Sequence, residues 1–263
     1  MFSSRVTTAV ALLAIFISAL FYLPNVWWKL FLLPILAGAS WEWSGLLKMS
    51  AAGRWGFCAL TTASAAALGM TSGTALYSPV IVVSCVFWIL LVPACLFGEW
   101  KMRSLPVLVF AGWLTLVPSW WALGELQIRP GELLVLLGII WLMDTGAYLA
   151  GRAWGRNKLA AAISPGKTWE GVAGGTAVVA VYYVALSWSL PDWHWWANGK
   201  GVILFFCVTV ASVIGDLFES WVKRQAGVKD SGTLLPGHGG ILDRIDSMTS
   251  SMPLAAAVLL ITG

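Results

Sequence analysis

The chain has 263 residues, of which 59% are hydrophobic and 11% are charged, and its formal net charge is +4. Its mean hydropathy is +0.82, whereas soluble domains carry roughly 25% charged residues. This composition excludes an ordinary soluble domain. The basic residues form no patch interleaved with aromatic residues, so we expect no nucleic-acid partner.

Apolar runs long enough to cross a bilayer recur along the whole chain. A spanning helix needs roughly 17–25 predominantly apolar residues. Nine such runs lie between charged or Pro/Gly-rich breaks, at approximately residues 6–23, 26–46, 55–71, 79–97, 105–122, 132–151, 170–190, 201–222 and 244–262. The sequence therefore predicts an all-α integral membrane protein with about nine transmembrane helices in a single domain.

The distribution of positive charge predicts the orientation of these helices. The first run follows Arg5 but lacks a small-residue cleavage pattern before Pro24, so we interpret it as a retained helix. Lys and Arg residues mark the cytoplasmic side of membrane proteins. With the N-terminus inside, all of the 16 Lys and Arg residues except Lys29, Arg129 and Lys200 lie on inner segments. We therefore expect a cytoplasmic N-terminus.

Tryptophans cluster near the ends of the predicted spans. Tryptophan is enriched at both membrane–water interfaces. We interpret the following residues as an interfacial aromatic belt without a catalytic role: Trp27, Trp28, Trp41, Trp43, Trp120, Trp121, Trp193, Trp195 and Trp196.

Polar residues that could carry chemistry are concentrated in the second half of the chain. Residues 1–128 contain few acids and no acidic pair at helical spacing, and we interpret them as helical scaffold spans. Residues 129–263 contain dense polar patterns. We interpret them as the spans and loops of a functional site.

The first of these patterns consists of Asp144 and the loop after it. An ionisable residue within a span is energetically costly, which makes Asp144 a candidate functional residue. The loop combines basic residues with glycines, a composition suited to binding phosphate through cations and backbone N–H groups. Its residues of these types are Gly151, Arg152, Gly155, Arg156, Lys158, Gly166 and Lys167. Alternatively, Arg152 and Arg156 serve only membrane topology.

Residues 164–168, Ser-Pro-Gly-Lys-Thr, end on the Gly-Lys-Thr of a P-loop. That pattern also needs a glycine five residues before Gly166, where this chain has Ala161, and a surrounding βαβ unit. We therefore predict a turn leading into the seventh span. Such a turn can present Lys167, the hydroxyls of Ser164 and Thr168, and a helix N-terminus to an anion.

Acidic residues mark the eighth and ninth spans. On a helix, Asp216, Ser220 and Lys223 fall on one face, and Asp243 and Asp246 begin the last span. Carboxylate oxygens are ligands that Mg²⁺ prefers, and substrate phosphates complete its coordination. The sequence therefore predicts a metal site at Asp216, Asp243 and Asp246. The alternative is a carboxylate paired with a neighbouring lysine for helix packing.

The loop between these spans contains His238 in the sequence Pro-Gly-His-Gly-Gly. Glycines allow a backbone to approach a ligand closely. A histidine in such a loop could act as a general base, donate a hydrogen bond to phosphate, or have no role.

Residues 220–246 resemble the signature of the phosphatidate cytidylyltransferases, also called CDP-diacylglycerol synthases, without a departure over its 27 positions. The residues that carry the match are Ser220, Lys223, Arg224, Lys229, Asp230, Gly232, Pro236, His238, Gly239, Gly240, Asp243, Arg244 and Asp246. Residues 141–171 and Asp216 also resemble the family, whereas the first five spans resemble it only in hydropathy.

The resemblance implies that CTP and phosphatidate give CDP-diacylglycerol and pyrophosphate in a Mg²⁺-dependent enzyme. It also implies a bacterial inner-membrane protein with its site on the cytoplasmic face. The family is thought to use a second cation, for which a monovalent ion is one candidate. A homodimer is compatible with the sequence.

On this basis we assign roles to individual residues. Catalytic roles are assigned to Asp216, Lys223, Arg224, His238, Asp243, Arg244 and Asp246, with Asp216, Asp243 and Asp246 as the metal ligands. Substrate-binding roles are assigned to Asp144, Lys158, Ser164, Lys167, Thr168, Ser220, Lys229, Asp230, Gly239 and Gly240.

The reaction itself bears on the role of His238. A phosphate monoester has a second pKa of about 6 and is already an anionic nucleophile near neutral pH. No strong general base is needed, so we expect His238 to donate hydrogen bonds or position substrate. Two other function classes remain open at this point: a CTP-dependent lipid kinase of the polyprenol type, and a membrane transporter with buried acids.

Overall fold

The structure is a computed structural model that describes residues 2–70, 77–98, 104–191, 193–234 and 239–262. Its first part contains α1 (Phe2–Tyr22), α2 (Asn25–Leu46), α3 (Ala51–Met70), α4 (Tyr77–Val86), a π-helical turn (Phe87–Leu91), α5 (Val92–Phe97) and α6 (Leu105–Leu126). Its second part contains α7 (Pro130–Trp154), β1 (Lys158–Ala160), β2 (Ser164–Thr168), α8 (Trp169–Ser189), a 3₁₀ turn (His194–Gly199), α9 (Lys200–Ala226) and α10 (Leu242–Thr262).

Nine helical rods occur within the described residues, because α4, the π-helical turn and α5 follow one another without interruption. Five of these rods are long and apolar enough to cross a membrane: Pro79–Phe97, Leu105–Leu126, Pro130–Trp154, Trp169–Ser189 and Lys200–Ala226. An integral membrane protein built of helices is therefore confirmed. That the other four rods cross the membrane, and that the N-terminus is cytoplasmic, are still predictions.

One element departs from the all-α prediction. The segment before α8, predicted as a turn, forms a small antiparallel hairpin in which β1 pairs with β2. Lys158 is opposite Thr168, and Ala160 is opposite Ser164. Thr168 then begins α8, where its Oγ1 accepts a hydrogen bond of 3.1 Å from the Gly171 N–H. The hairpin thus leads directly into the predicted seventh span.

Small residues bring α7 and α8 into backbone contact. A Cβ atom built on Gly175 would lie 2.6 Å from the Met143 carbonyl oxygen, and one on Gly146 would lie 3.0 Å from the Gly175 Cα. Close approach of this kind is typical of helix pairs in membranes, where small side chains maximise van der Waals contact. The contact holds Asp144, on α7, beside the start of α8.

Serine hydroxyls connect α9 and α10, which run antiparallel. Ser250 Oγ donates to the Ala211 carbonyl at 2.6 Å, and Ser251 Oγ donates to the Val208 carbonyl at 3.3 Å. Gly215 leaves room for this contact, since a Cβ atom there would overlap the Ser250 hydroxyl. The two helices that carry the predicted metal ligands therefore pack directly against each other.

The interpretation of the tryptophans as an interfacial belt is wrong for several of them. Trp28 and Trp43 are fully buried, and Trp120, Trp121 and Trp195 are buried as well. Trp28 Nε1 donates to the Leu123 carbonyl at 3.0 Å, and Trp43 Nε1 donates to the Leu108 carbonyl at 3.1 Å. Because the indole N–H groups of Trp28 and Trp43 find partners inside the bundle, these two large rings can fill the core.

The predicted orientation can be tested on the loop between α9 and α10. Thr233 is exposed in this loop, and Ile128, between α6 and α7, is 65% exposed. With the four native cysteines replaced by alanine, Thr233→Cys should react with an impermeant maleimide only from the cytoplasmic side, and Ile128→Cys only from the outside. Labelling of Thr233→Cys in intact cells would contradict the orientation.

Candidate active site

An open cavity of about 370 Å³ lies between α7, the hairpin, α8 and α9. Predicted site residues from three elements, α7, β2 and α9, line it: Asp144, Arg152, Ser164, Lys167, Thr168 and Asp216. The remaining wall is formed by small and apolar residues such as Ala147, Gly171 and Val213. The cavity therefore combines charged groups of both signs with an apolar wall.

The hairpin places Lys167 against the acid of α9. Lys167 Nζ lies 2.5 Å from Asp216 Oδ2, and the two side chains are 23% and 31% exposed. Ser220 Oγ is 3.5 Å from Asp216 Oδ1, as expected for residues four apart on a helix. Asp144 also faces the cavity, and its Oδ1 accepts a hydrogen bond of 3.3 Å from Ser247 Oγ on α10.

A second cluster lies at the end of α9 and the start of α10. Lys223 Nζ is 2.6 Å from Asp243 Oδ1 and 3.3 Å from Glu219 Oε1, and all three side chains are nearly buried. Asp243 Oδ2 also accepts backbone hydrogen bonds from Ser231 at 3.0 Å and Gly240 at 2.9 Å. Asp243 is thus both neutralised by a lysine and bound to the preceding loop.

Asp246, on α10, packs against α9, because a Cβ atom built on Gly215 would lie 2.6 Å from the Asp246 carbonyl oxygen. Asp246 interacts electrostatically with both Asp216 and Glu219. Its Oδ1 accepts a hydrogen bond of 2.7 Å from the Ser247 N–H. The predicted metal ligands are therefore brought to neighbouring positions on α9 and α10.

Within the part of the chain that the structure describes, no three His, Cys, Asp or Glu side chains are grouped as a ready metal site. Mg²⁺ does not require such a group, because it is usually held by one or two carboxylates together with substrate phosphates. Asp216 and Asp246 are two carboxylates that interact electrostatically. Lys167 contacts the Asp216 carboxylate, whereas the Asp243 carboxylate is contacted by Lys223 and also by two backbone N–H groups.

Other charged residues of the predicted site are exposed. Arg224 Nε donates to the Ile163 carbonyl at 3.1 Å and so ties the end of α9 to the hairpin. Lys158, Lys229, Asp230 and Arg244 are exposed. Gly239 has a φ of +83°, which favours glycine. The predicted role of His238 falls on a residue outside the described ranges.

Three acids to which the sequence analysis assigns no role contact residues or segments of the predicted site. Glu219 lies beside Lys223, and Glu170 accepts hydrogen bonds from the Arg156 and Asn157 N–H groups before the hairpin. Glu42, on α2, accepts hydrogen bonds from the loop that begins α10. Its position within an apolar run was the available signal, since ionisable residues there are generally functional. Through Glu42, residues 1–128 therefore contact the loop before α10, and their assignment as scaffold spans stays a prediction.

Comparison with known proteins agrees with this architecture. The sequence profile of the cytidylyltransferase family matches residues 3–262. A phosphatidate cytidylyltransferase of Pseudomonas aeruginosa is 34% identical over 276 residues, which cover 100% of this chain and 98% of that protein. One of Haemophilus influenzae is 44% identical over 168 residues, 59% of this chain and 57% of that protein. One of Brucella suis is 47% identical over 131 residues, 49% of this chain and 45% of that protein. The resemblance in the sequence is thereby confirmed, and the chain belongs to the cytidylyltransferase family.

Proposed function

We propose that this protein is a phosphatidate cytidylyltransferase, which converts CTP and phosphatidate to CDP-diacylglycerol and pyrophosphate. The observation that carries the proposal is the cavity in which Asp144, Asp216 and Lys167 meet beside an apolar wall. Such a site can hold a polyanionic nucleotide while a lipid approaches from the bilayer. The full-length similarity to the Pseudomonas aeruginosa protein supports the same activity.

The bond changes fit the residues available. A phosphate oxygen of phosphatidate attacks the α-phosphorus of CTP, and the bond to pyrophosphate breaks. The nucleophile is already anionic near neutral pH, so the protein must mainly neutralise charge and align two polyanions. Lys167 and Arg152 in the cavity can bind phosphate oxygens, while Ser164 and Thr168 offer hydroxyl donors.

We further propose that Asp216 and Asp246 hold a Mg²⁺ ion. Oxygen donors that repel one another without a cation favour a hard divalent ion at this position, and Asp246 has Asp216 as an electrostatic neighbour. When bound, Mg²⁺ would neutralise charge on the phosphates. Asp243, the third predicted ligand, lies one helical turn before Asp246. Binding of a second cation stays a prediction.

We place the site on the cytoplasmic face of a bacterial inner membrane. CTP is a cytoplasmic solute and phosphatidate is a lipid, so their reaction requires the membrane interface. The loops that carry Lys158, Lys167 and Lys229 are the most basic in the sequence, which is typical of cytoplasmic loops. A homodimer remains compatible with this arrangement.

The activity is tested by product analysis. Purified protein in phospholipid–detergent micelles, given phosphatidate, Mg²⁺ and CTP labelled at the α-phosphate, should transfer the label to lipid and release pyrophosphate. A lipid kinase would instead release labelled CDP and leave the lipid unlabelled. A transporter would move ions in liposomes without consuming CTP. Either of those results would overturn the proposed function.

The acidic residues are tested by isosteric amides. Asp216→Asn, Asp243→Asn and Asp246→Asn should each lower turnover by more than about 100-fold, because electrostatic groups at the reacting phosphates commonly contribute about 10²–10³-fold. Glu125→Gln is the matched control, since Glu125 pairs with Lys29 away from the site. Turnover near that of the wild-type protein at saturating Mg²⁺ would rule out these residues as metal ligands.

The role of His238 is tested by its removal. Because the nucleophile needs no strong base, His238→Ala should reduce turnover less than Asp216→Asn does. Both variants are compared at several concentrations of added imidazole. A complete loss of activity that imidazole restores would show that His238 is the general base.

A further inference from the structure

A buried glutamate of α2 reaches the loop that connects the two acid-bearing helices. Glu42 is 3% exposed and lies almost 200 residues from its partners along the chain. Its Oε1 accepts a hydrogen bond of 3.0 Å from the Ile241 N–H, and its Oε2 accepts one of 2.9 Å from the Leu242 N–H. Oε2 also accepts a hydrogen bond of 3.0 Å from Ser231 Oγ. Both oxygens of one carboxylate are therefore used.

The donors explain why a carboxylate occupies this position. The N–H groups at the start of a helix have no partner inside the helix, and the helix dipole favours negative charge there. Leu242 is the first residue of α10. Because each carboxylate oxygen faces a backbone N–H, a glutamine amide in the same place would turn its NH₂ group against one of them. The site therefore distinguishes Glu from its isosteric amide.

Two glycines of the loop leave space for this contact. A Cβ atom built on Gly240 would overlap both Ser231 Oγ and the Glu42 carboxylate. A Cβ atom on Gly232 would collide with Glu42 Oε1. Neither glycine has a positive φ among the described residues, so close packing, rather than backbone conformation, requires glycine here. The loop and the glutamate are thus fitted to each other.

Asp243 binds the same two stretches of the loop. The Ser231 N–H and the Gly240 N–H donate to Asp243. The Ser231 hydroxyl and the N–H groups of Ile241 and Leu242 donate to Glu42. Asp243 in turn contacts Lys223 at 2.6 Å. A single network therefore connects α2, through the loop, to the charged residues at the end of α9.

We propose that Glu42 is a positioning residue for the reaction. It fixes the start of α10, and so the placement of Asp243 and Asp246, from a helix that contributes no residue to the cavity lining. This inference rests on the proposed cytidylyltransferase activity. Because Glu42 places the reacting groups and does not bind substrate, its loss should lower kcat more than it changes KM.

The test compares Glu42→Gln with Glu125→Gln in purified protein. Misplacement of catalytic groups by about 1 Å can cost about 100-fold, so Glu42→Gln should lower kcat by about 10- to 100-fold while changing KM for CTP less than about threefold. Glu125→Gln, at the opposite end of the bundle, should leave both constants unchanged. Thermal melting in detergent identifies any variant that loses activity by unfolding.

A double-mutant comparison separates positioning from general loss of structure. Ser231→Ala removes one donor to Glu42, and residues in one network show non-additive effects. The double variant Glu42→Gln/Ser231→Ala should therefore be no slower than Glu42→Gln alone. Additive losses of kcat, a rise in KM with unchanged kcat, or wild-type kcat in Glu42→Gln would each overturn the inference.

A second measurement does not depend on activity. Thiol labelling of Thr233→Cys should proceed several-fold faster when Glu42→Gln is also present, because the loop loses its attachment to α2. Unchanged labelling would overturn the inference even in the absence of turnover. An inactive wild-type protein whose Glu42→Gln variant is labelled faster would instead overturn the proposed function, and Glu42 would keep only its role in attaching the loop to α2.

Discussion

Compensation of buried charge governs the end of this helix bundle that carries the candidate site. A carboxylate left without its partner in such surroundings destabilises a protein by about 3–5 kcal/mol. Lys223 on α9 contacts Asp243 on α10, and Lys167 on the hairpin contacts Asp216 on α9. Each ion pair thus joins two different elements. The relative placement of the hairpin, α9 and α10 is therefore set by the same groups that give the site its charge.

Packing between the helices makes these ion pairs attainable. In a bilayer, helix association depends on close van der Waals contact and on hydrogen bonds between helices. Glycines bring α7 against α8, and the Ser250 and Ser251 hydroxyls bind carbonyls of α9. These contacts use backbone atoms and short side chains, which have little freedom. The charged side chains, which are longer, therefore extend from helices whose relative positions these contacts already determine.

Local sequence patterns predicted the parts of the molecule that depend on local physics. Apolar run length located the helical rods, and the spacing of Asp216 and Ser220 placed them on one face of α9. The dense acidic and basic pattern after Asp144 located the cavity. These features follow from helix periodicity and from the cost of burying charge. To predict such features, one does not need to know which helices are neighbours.

Features that depend on tertiary contacts could not be predicted from the sequence. Glu42 is a single acid in an apolar run, and only the position of α2 beside the loop gives it three donors. Trp43 was assigned to the membrane interface because it lies near the end of a run, yet its indole N–H finds a carbonyl inside the bundle. The hairpin was missed because its two strands are short and contain a proline. In each case the deciding partner lies far away in the sequence or in an irregular segment.

The basic residues divide into two groups with different physical effects. Lys167 and Lys223 are mostly buried and already contact carboxylates, so their positions are fixed before any anion arrives. Lys158, Lys229 and Arg244 are exposed, and exposed charges act mainly on the rate of encounter with a charged ligand. Added salt screens exposed charges much more than buried ones. We therefore expect the exposed charges to speed the encounter with a polyanion and the buried ones to orient it, and we expect salt to weaken the first effect more than the second.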